Sequence, residues 1–165
     1  MKPRMVLGWV LLLANVVCQS GHPLEQLDQT KLRSLIHERD GKILFINIWA
    51  TWCAPCMKEF PAIVRLAGEY AGKPVTFVGV TADDPEDVQS KVTPFLVKTD
   101  PQFRIYLARI DGNDNLINEF GDQWTGAIPA TFIYDTKGRM RKLIVGERSY
   151  SEFKSTVDSL LAERR

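Results

Sequence analysis

Apolar and polar positions along the chain alternate in blocks that favour strands and helices in turn. Continuous apolar runs at Ile43–Trp49 and at 74–82 (PVTFVGVTA) have the length and β-branched content of strands covered on both faces. The runs QFRIYLA, ATFIYD and RMRKLIVG predict three further strands, and TKG between the last two predicts a hairpin turn. Apolar residues at helical spacing separate the first strands, so the pattern predicts an α/β domain with a largely parallel sheet.

The first two helices are predicted from capping residues and apolar spacing. Thr30 is the expected N-cap of a short helix that ends at the Asp-Gly pair 40–41. A second helix is predicted from Ala54 to about Tyr70, directly after the first strand. Pro61 lies inside this helix and predicts a kink, because proline cannot donate the intrahelical hydrogen bond.

Three further helical segments are predicted in the rest of the chain. Asp84 followed by proline predicts a helix start, and Pro94 is expected to break that helix in two. Residues 113–120 predict a short helix, and Ser149 with Glu152 forms a capping box before the last one. The residues expected to face inward from the predicted helices are Leu32, Leu35 and Ile36; Phe60, Val64 and Ala67; Val88, Val92, Phe95 and Leu96; Leu116, Ile117 and Phe120; and Phe153, Val157, Leu160 and Leu161.

The first 20 residues differ from the rest and predict an export signal. Lys2 and Arg4 precede thirteen almost wholly apolar residues, MVLGWVLLLANVV, and polar sequence follows at once. This run is too short to cross a bilayer comfortably but fits the apolar region of a secretory signal. We therefore assign residues 1–20 to a signal peptide and 24–165 to one domain, with a buried N-terminal helix as the alternative.

Cys18 directly follows this apolar run, where bacterial lipoproteins carry a lipid-bearing cysteine. That pattern needs a small residue just before the cysteine and leucine two residues further back, but Val17 and Asn15 stand there. Cys18 is therefore assigned to the signal, and lipidation with membrane anchoring is the alternative. In either case the domain itself keeps only Cys53 and Cys56, which excludes a scaffold built on several disulfides.

Length and composition allow one domain with a sizeable core. The chain has 165 residues, of which 45% are hydrophobic and 25% charged. The formal net charge is +1 and the basic residues are scattered, so the charge gives no indication of a nucleic-acid partner.

The segment ATWCAPCMKEFPA holds Cys53 and Cys56 at the end of the first predicted strand. A zinc site needs about four ligands, and the chain adds only His22 and His37, both remote in sequence. Covalent haem attachment needs a histidine where Met57 stands. A structural disulfide that closes so small a loop would constrain the unfolded chain little.

The position of the pair favours a redox function. Ala54-Pro55 lets the helix begin between the cysteines, so Cys53 meets the unpaired N–H groups and the positive end of the helix dipole. In such motifs the pKa of the first cysteine falls to about 3.5–7.5. Cys53 is predicted to attack a substrate disulfide, and Cys56, one turn later, to resolve the mixed disulfide. This chemistry needs no metal or organic cofactor.

The sequence resembles the thioredoxin superfamily over about residues 24–165. The resemblance rests on WATWCAPC after a buried strand, on Pro61 five residues past the second cysteine, and on AIPATF far downstream. It implies a thioredoxin-like fold, in which a central mixed sheet is flanked by helices. It also implies a cis peptide bond between Ile128 and Pro129, facing the cysteines, that leaves the preceding backbone open to a peptide substrate. Taken alone, Pro129 reads as an ordinary strand-edge proline.

Two features resemble the TlpA/ResA branch of this superfamily. Asn47 and the sequence KEFP match that branch, and residues 84–128 form an inserted βα segment before Pro129. Members of the branch are envelope thiol-disulfide oxidoreductases, exported or membrane-tethered, and some reduce apocytochrome c before haem attachment. The resemblance implies a periplasmic or cell-envelope location, protein substrates that carry disulfides, and electrons from a thiol donor such as a membrane reductase.

Glu59 lies three residues beyond Cys56, on nearly the same stripe of the helix. The matching glutamate in ResA-like proteins lies beside the cysteine pair, which implies a role for Glu59 in its proton chemistry. The alternative is a solvated carboxylate next to Lys58.

Substrate contacts are expected around the cysteine pair and the downstream proline. Trp52 directly precedes the first cysteine and is expected to shield the pair beside the substrate groove. The resemblance adds Pro55, Ile128 and Pro129 to this groove. Trp124 either lines the same groove or packs within its own loop.

These features together predict an exported, monomeric thiol-disulfide oxidoreductase that reduces protein disulfides. The same cysteines would also serve a disulfide oxidant or isomerase. A client-binding or chaperone module that holds peptides along the Pro129 groove is the alternative from another class. A peroxidase fits less well, because peroxidatic cysteines sit at a threonine-rich helix start without this pair.

Overall fold

The computed structural model describes residues 24–38, 40–109, 120 and 123–163. In chain order its elements are strand β1 (Gln26–Leu27), helix α1 (Gln29–His37), β2 (Ile43–Trp49), α2 (Ala54–Glu69), β3 (Val75–Thr81), a 3₁₀ turn (Pro85–Asp87), a π turn (Val88–Val92), α3 (Thr93–Thr99), β4 (Arg104–Ala108), β5 (Ala130–Tyr134), β6 (Met140–Val145) and α4 (Tyr150–Ala162). The predicted signal at 1–20, Cys18 and the helix predicted at 113–120, apart from Phe120, lie outside the described residues.

Six strands form one mixed sheet in the order β1-β4-β3-β2-β5-β6. The first four strands in this order run parallel, whereas β5 is antiparallel to β2 and forms a hairpin with β6. Asn47 in the centre of β2 lies opposite Gly79 on one side and opposite Thr131 on the other. The expected thioredoxin-like arrangement is confirmed, including the βα segment inserted between β3 and β5.

Helices cover both faces of this sheet because side chains alternate along the strands. Leu44, Ile46 and Ile48 pack in one cluster with the apolar residues of α1. Ile43 and Phe45 point the other way and pack in a cluster with α2 and α4. All seven residues of β2 are buried, as its continuous apolar run predicts.

The start of α1 differs from the prediction. Asp28 is the N-cap, and its carboxylate accepts a hydrogen bond from the Lys31 backbone N–H at 2.8 Å. Aspartate caps a helix at least as well as threonine, so Thr30 falls inside the first turn and its prediction as N-cap was wrong. Strand β1 was not predicted, since two residues are too few to show an alternating pattern.

Helix α2 runs as one element through Pro61 and ends at Glu69, close to the predicted end. Pro61 has no N–H, so it cannot bond to the carbonyl of Met57, one turn earlier. Phe60 and Ile63 on either side of the proline are buried, which holds this stretch against the sheet.

The helical segment after β3 begins with a 3₁₀ turn and a π turn before it becomes a regular α-helix. Asp84 is the N-cap of the first turn and Pro85 is its first residue, as predicted, although the Asp84 side chain makes no capping hydrogen bond within the described residues. The following turn is a π turn that leads into α3, whose second residue is Pro94. Val92 and Thr93 keep right-handed helical backbone angles, so the chain stays helical through Pro94 and the predicted break of the helix was wrong. The widened turn accommodates the missing N–H of Pro94.

The β5–β6 hairpin and the last helix form as predicted. Asp135 closes the hairpin by accepting hydrogen bonds from the backbone N–H groups of Lys137 at 2.9 Å and Arg139 at 3.1 Å. The capping box of α4 is present, with the Ser149 hydroxyl and the Glu152 carboxylate each accepting from the other residue's backbone N–H. The hairpin and this cap bring residues 146–149 to the end of the sheet where α2 begins.

Candidate active site

Cys53 and Cys56 are joined by a disulfide at the point where the chain passes from β2 into α2. Cys53 is the N-cap of the helix, and its Sγ accepts a hydrogen bond from the Cys56 backbone N–H at 3.3 Å. The S–S distance is 2.07 Å and the two Cα atoms lie 5.2 Å apart. Both cysteines are buried, Cys53 at 6% exposure and Cys56 at 0%. The first sulfur therefore occupies the place of a capping acceptor, where the dipole and the free N–H groups of the helix favour negative charge.

The loop before Cys53 is fastened by Asp83, a residue that the sequence analysis did not single out. Asp83 is buried at the end of β3, and its Oδ2 accepts from the Thr51 backbone N–H at 2.9 Å. The hydroxyl groups of Thr51 and Thr81 also donate to this carboxylate. The sequence did hold a signal for Asp83, because polar residues that follow neighbouring parallel strands are expected to lie close together. The signal is weak, since Asp84 and Glu86 nearby make the segment resemble a solvent-exposed acidic loop.

Glu59 is a buried carboxylate, 2% exposed, held from two sides. Its Oε1 accepts from Asn47 Nδ2 at 2.9 Å, and its Oε2 accepts from the Arg148 backbone N–H at 3.0 Å. Burial raises the pKa of Glu59 to about 7, and the two hydrogen bonds oppose that shift without cancelling it. The alternative of a solvated carboxylate beside Lys58 is wrong, since Lys58 instead pairs with Glu147 at 2.6 Å.

The loop before β5 presents a cis peptide bond between Ile128 and Pro129. Ile128 packs against the cluster that contains both cysteines, so the structure brings the cis proline and the disulfide together. The Pro129 carbonyl accepts from the Gly146 N–H at 2.8 Å. Trp124 Nε1 donates to the Ala127 carbonyl at 2.8 Å. Both carbonyls that flank Ile128 are thus held within the protein.

The tryptophans near the site have different surroundings. Trp52 directly precedes Cys53 and is 66% exposed, so its ring is accessible to a substrate that approaches the disulfide. Trp124 is buried and packs edge-on against Phe120 and Phe132, so it supports the cis-proline loop from within. Trp49 is also buried and packs in the core.

Of the two histidines considered as zinc ligands, the structure describes only His37. His37 is in the last turn of α1, and His22 lies outside the described residues. Over residues 24–38, 40–109, 120 and 123–163, no three His, Cys, Asp or Glu side chains cluster as metal ligands would. In the same ranges no helix combines the length and the apolar character needed to cross a membrane.

Comparisons with known proteins agree with this geometry. A family model described as Redoxin matches residues 23–161, a range that includes both cysteines, Glu59 and Pro129. The thiol-disulfide oxidoreductase ResA of Geobacillus thermodenitrificans is 31% identical over 120 residues, which are 73% of this chain and 64% of that protein. The thioredoxin-like protein YneN of Bacillus subtilis is 30% identical over 128 residues, or 76% of this chain and 69% of that protein.

Among solved structures, a thiol:disulfide interchange protein of the thioredoxin family from Chlorobium tepidum is similar with a TM-score of 0.64. It is 28% identical, and the match covers 75% of this chain and 83% of that one. The chain spans slightly less than two thirds of the length of the ResA relative.

Replacing Asp83 by asparagine is expected to loosen the loop before Cys53. The amide keeps one acceptor oxygen, and its N–H groups bond to a threonine only where the hydroxyl turns from donor to acceptor, so the charge-assisted hydrogen bonds to Thr51 and Thr81 are weakened. We expect Asp83→Asn to lower the free energy of unfolding by about 1–3 kcal/mol in urea denaturation. Asp84→Asn is the matched control, because Asp84 is exposed and is expected to change stability little. Equal effects of the two changes would contradict the anchoring role of Asp83.

The raised pKa of Glu59 predicts a pH dependence of stability. Between the ordinary value of 4.5 and about 7, the folded protein keeps a proton that the unfolded chain has released. The free energy of unfolding of the oxidised protein should therefore fall as pH rises through this window and level off above it, by about 3 kcal/mol in total. Glu59→Gln should remove this fall, as measured by urea denaturation at several pH values. Parallel curves for the two proteins would contradict the assignment.

Proposed function

Because the chain belongs to the redoxin family, we propose that it is a thiol-disulfide oxidoreductase that reduces disulfides in protein substrates. The observation that carries this proposal is the Cys53–Cys56 disulfide at the N-terminus of α2, with Cys53 as the capping acceptor. The ResA relative and the Chlorobium neighbour carry names of the same activity.

The reaction transfers two electrons from the reduced cysteine pair to the substrate disulfide. The Cys53 thiolate attacks one sulfur of the substrate, forms a mixed disulfide with it and releases the other sulfur as a thiolate. Cys56 then loses its proton and attacks the Cys53 sulfur, which breaks the mixed disulfide and releases the second substrate thiolate. The protein is left with the Cys53–Cys56 bond seen in the structure. A thiol electron donor must reduce this bond before the next cycle.

Glu59 is proposed to take the proton from Cys56 in the second step. Cys56 and Glu59 are three residues apart on α2, a spacing that puts both on one face of the helix. Both are buried, so bulk water does not easily reach the Cys56 proton. A carboxylate with a pKa of about 7 can accept a proton and release it again near neutral pH.

The substrate is proposed to lie along the cis-proline loop beside the exposed face of Trp52. Pro55 is exposed in the first turn of α2, next to the disulfide. Since the Ala127 and Pro129 carbonyls are bound within the protein, the Ile128 peptide group is the backbone between them that a substrate strand can pair with. This arrangement supports recognition of an extended peptide around the substrate disulfide.

The cellular setting is proposed from the N-terminal sequence and the family. The apolar run in the first 20 residues supports export to the periplasm or cell envelope. The alternative is an exported protein that stays anchored to the membrane through its N-terminus or through Cys18. Disulfide-bearing substrates are available in such a compartment. The reducing direction, the membrane reductase as electron donor and the monomeric state follow the resemblance to the TlpA/ResA branch.

Single cysteine changes test the proposed function. Cys53→Ser should abolish reduction of a peptide disulfide, because the attacking thiolate is gone. Cys56→Ser should still attack once and then accumulate a mixed disulfide that a small dithiol releases, which mass spectrometry detects. Cys18→Ser is the matched control and should reduce the peptide at the wild-type rate.

Two results would contradict this function. Reduction that survives Cys53→Ser would remove Cys53 as the nucleophile. Full biological function in a Cys53→Ala, Cys56→Ala double variant would favour the client-binding module instead.

The proton-accepting role of Glu59 predicts a pH profile for the second step. In the wild type the mixed disulfide should resolve faster as pH rises through the pKa of Glu59, about 7, since the carboxylate is then free to accept. Glu59→Gln should slow this step by about 100-fold and remove that inflection. Rapid-quench analysis resolves the two steps, and the attack by Cys53 serves as the internal control. An unchanged inflection in the glutamine variant would exclude Glu59 as the acceptor.

A further inference from the structure

The side chain of Asn47 joins two parts of the active site. It projects from the centre of β2 and is 1% exposed. Its Nδ2 donates to Glu59 Oε1 on α2 at 2.9 Å and to Thr131 Oγ1 on β5 at 3.1 Å. Thr131 lies two residues after the cis proline. One amide group therefore links the helix that begins at the cysteines to the strand that directly follows Pro129.

The other end of the same amide is unsatisfied. Asn47 Oδ1 is buried and has no hydrogen-bond partner among the described residues. A buried acceptor without a partner is unfavourable, and native proteins rarely leave one unless the group has a second arrangement or a functional role. The amide is thus bound at its nitrogen end only.

The partners of Glu59 determine where a proton can sit on it. Oε2 accepts from the Arg148 backbone N–H, which can only donate, so that oxygen keeps its bond best without a proton. A proton is therefore expected on Oε1, the oxygen that faces Asn47. In the present orientation the Asn47 N–H would then oppose the new Glu59 O–H, and two donors would meet.

We propose that the Asn47 amide reverses when Glu59 becomes protonated, so that Nδ2 donates to the carboxylate and Oδ1 accepts from the neutral acid. The Thr131 hydroxyl follows, because a hydroxyl group can either accept from Nδ2 or donate to Oδ1. The reversal breaks no bond at the far end of the amide, where Oδ1 has no partner in the described structure. Asn47 is thus a positioning residue that keeps a hydrogen bond to Glu59 in both protonation states.

The charged groups around Glu59 come from elements other than those of Asn47. Glu147 and Arg148 face it from the loop between β6 and α4. Lys58 on α2 pairs with Glu147 at 2.6 Å, and Arg148 pairs with Glu152 at 3.6 Å. From β2 and β5 the groups that meet Glu59 and its amide partner are neutral, so the bond at Oε1 changes by rearrangement of uncharged groups.

This inference rests on the proposed function for its meaning in the reaction. A proton acceptor for Cys56 must be stable both as a carboxylate before the transfer and as an acid after it. An amide fixed as a donor supports only the first state, and one fixed as an acceptor supports only the second. An amide that can reverse lowers the difference in free energy between the carboxylate and the acid form of Glu59. The proton can then move to and from Glu59 in both directions of the thiol-disulfide reaction.

Nuclear magnetic resonance on the oxidised full chain tests the reversal without any activity measurement. The carboxyl ¹³C shift of Glu59 follows its titration, and nuclear Overhauser contacts report the position of the Asn47 side-chain N–H protons. We expect contacts from these protons to the Thr131 side chain well above the Glu59 midpoint. These contacts should disappear below it, with the same midpoint as the carboxyl shift.

Two variants serve as controls. Glu59→Gln removes the titration, so the contacts of the Asn47 amide should become independent of pH. Thr131→Val removes the hydroxyl but keeps methyl groups as reporters, and the pH-dependent change should persist through Glu59 alone.

The outcomes separate this inference from the proposed function. Contacts between the Asn47 N–H protons and Thr131 that stay constant through the titration would overturn the reversal, as would a Glu59 that does not titrate at all. If the reduced protein nevertheless exchanges disulfides, the proposed function stands. If the Asn47 amide reverses but the protein reduces no disulfide, the inference stands and the proposed function fails.

Discussion

The hydrogen bond from the Cys56 N–H to the Cys53 sulfur fixes the point at which β2 becomes α2. Helix N-termini need acceptors for their free N–H groups, and here a sulfur supplies one where serine or aspartate usually does. The other parts of the site surround this sulfur at the N-terminus of α2. The central strand β2 ends at the carboxyl end of the parallel strands, where Asp83 fixes the following loop from the β3 side. The cis proline lies just before β5, on the other side of β2.

Two buried carboxylates near this helix start have different surroundings. Asp83 accepts from one backbone N–H and two hydroxyl groups, all from residues at the ends of β2 and β3. Glu59 accepts from a side-chain amide and from a backbone N–H that comes from another part of the chain. The first arrangement holds a loop in place. The second leaves a carboxyl group that can change its charge near neutral pH, beside a chemistry that moves protons.

Local sequence was enough to predict five of the six described strands, the two cysteines at the start of a helix and the capping box before α4. The family resemblance added the cis bond at Pro129, which spacing alone would not have indicated. The burial of Glu59 could not be predicted locally, because the group that covers it, Arg148, is 89 residues away. Asp83 was missed for the same reason, since its partner Thr51 is 32 residues distant. The cap of α1 was misplaced because Asp28 and Thr30 are both good capping residues, and only the register of the helix decides between them.

The contact between Glu59 and Arg148 is made by the main chain of Arg148, not by its guanidinium group. Every amino acid except proline carries that N–H, so nineteen residue types can stand at position 148 and still hold the carboxylate. This hydrogen bond by itself therefore places no requirement on the side chain at position 148. What natural selection must preserve there is the path of the loop, which the β5–β6 hairpin and the first turn of α4 set from its two ends.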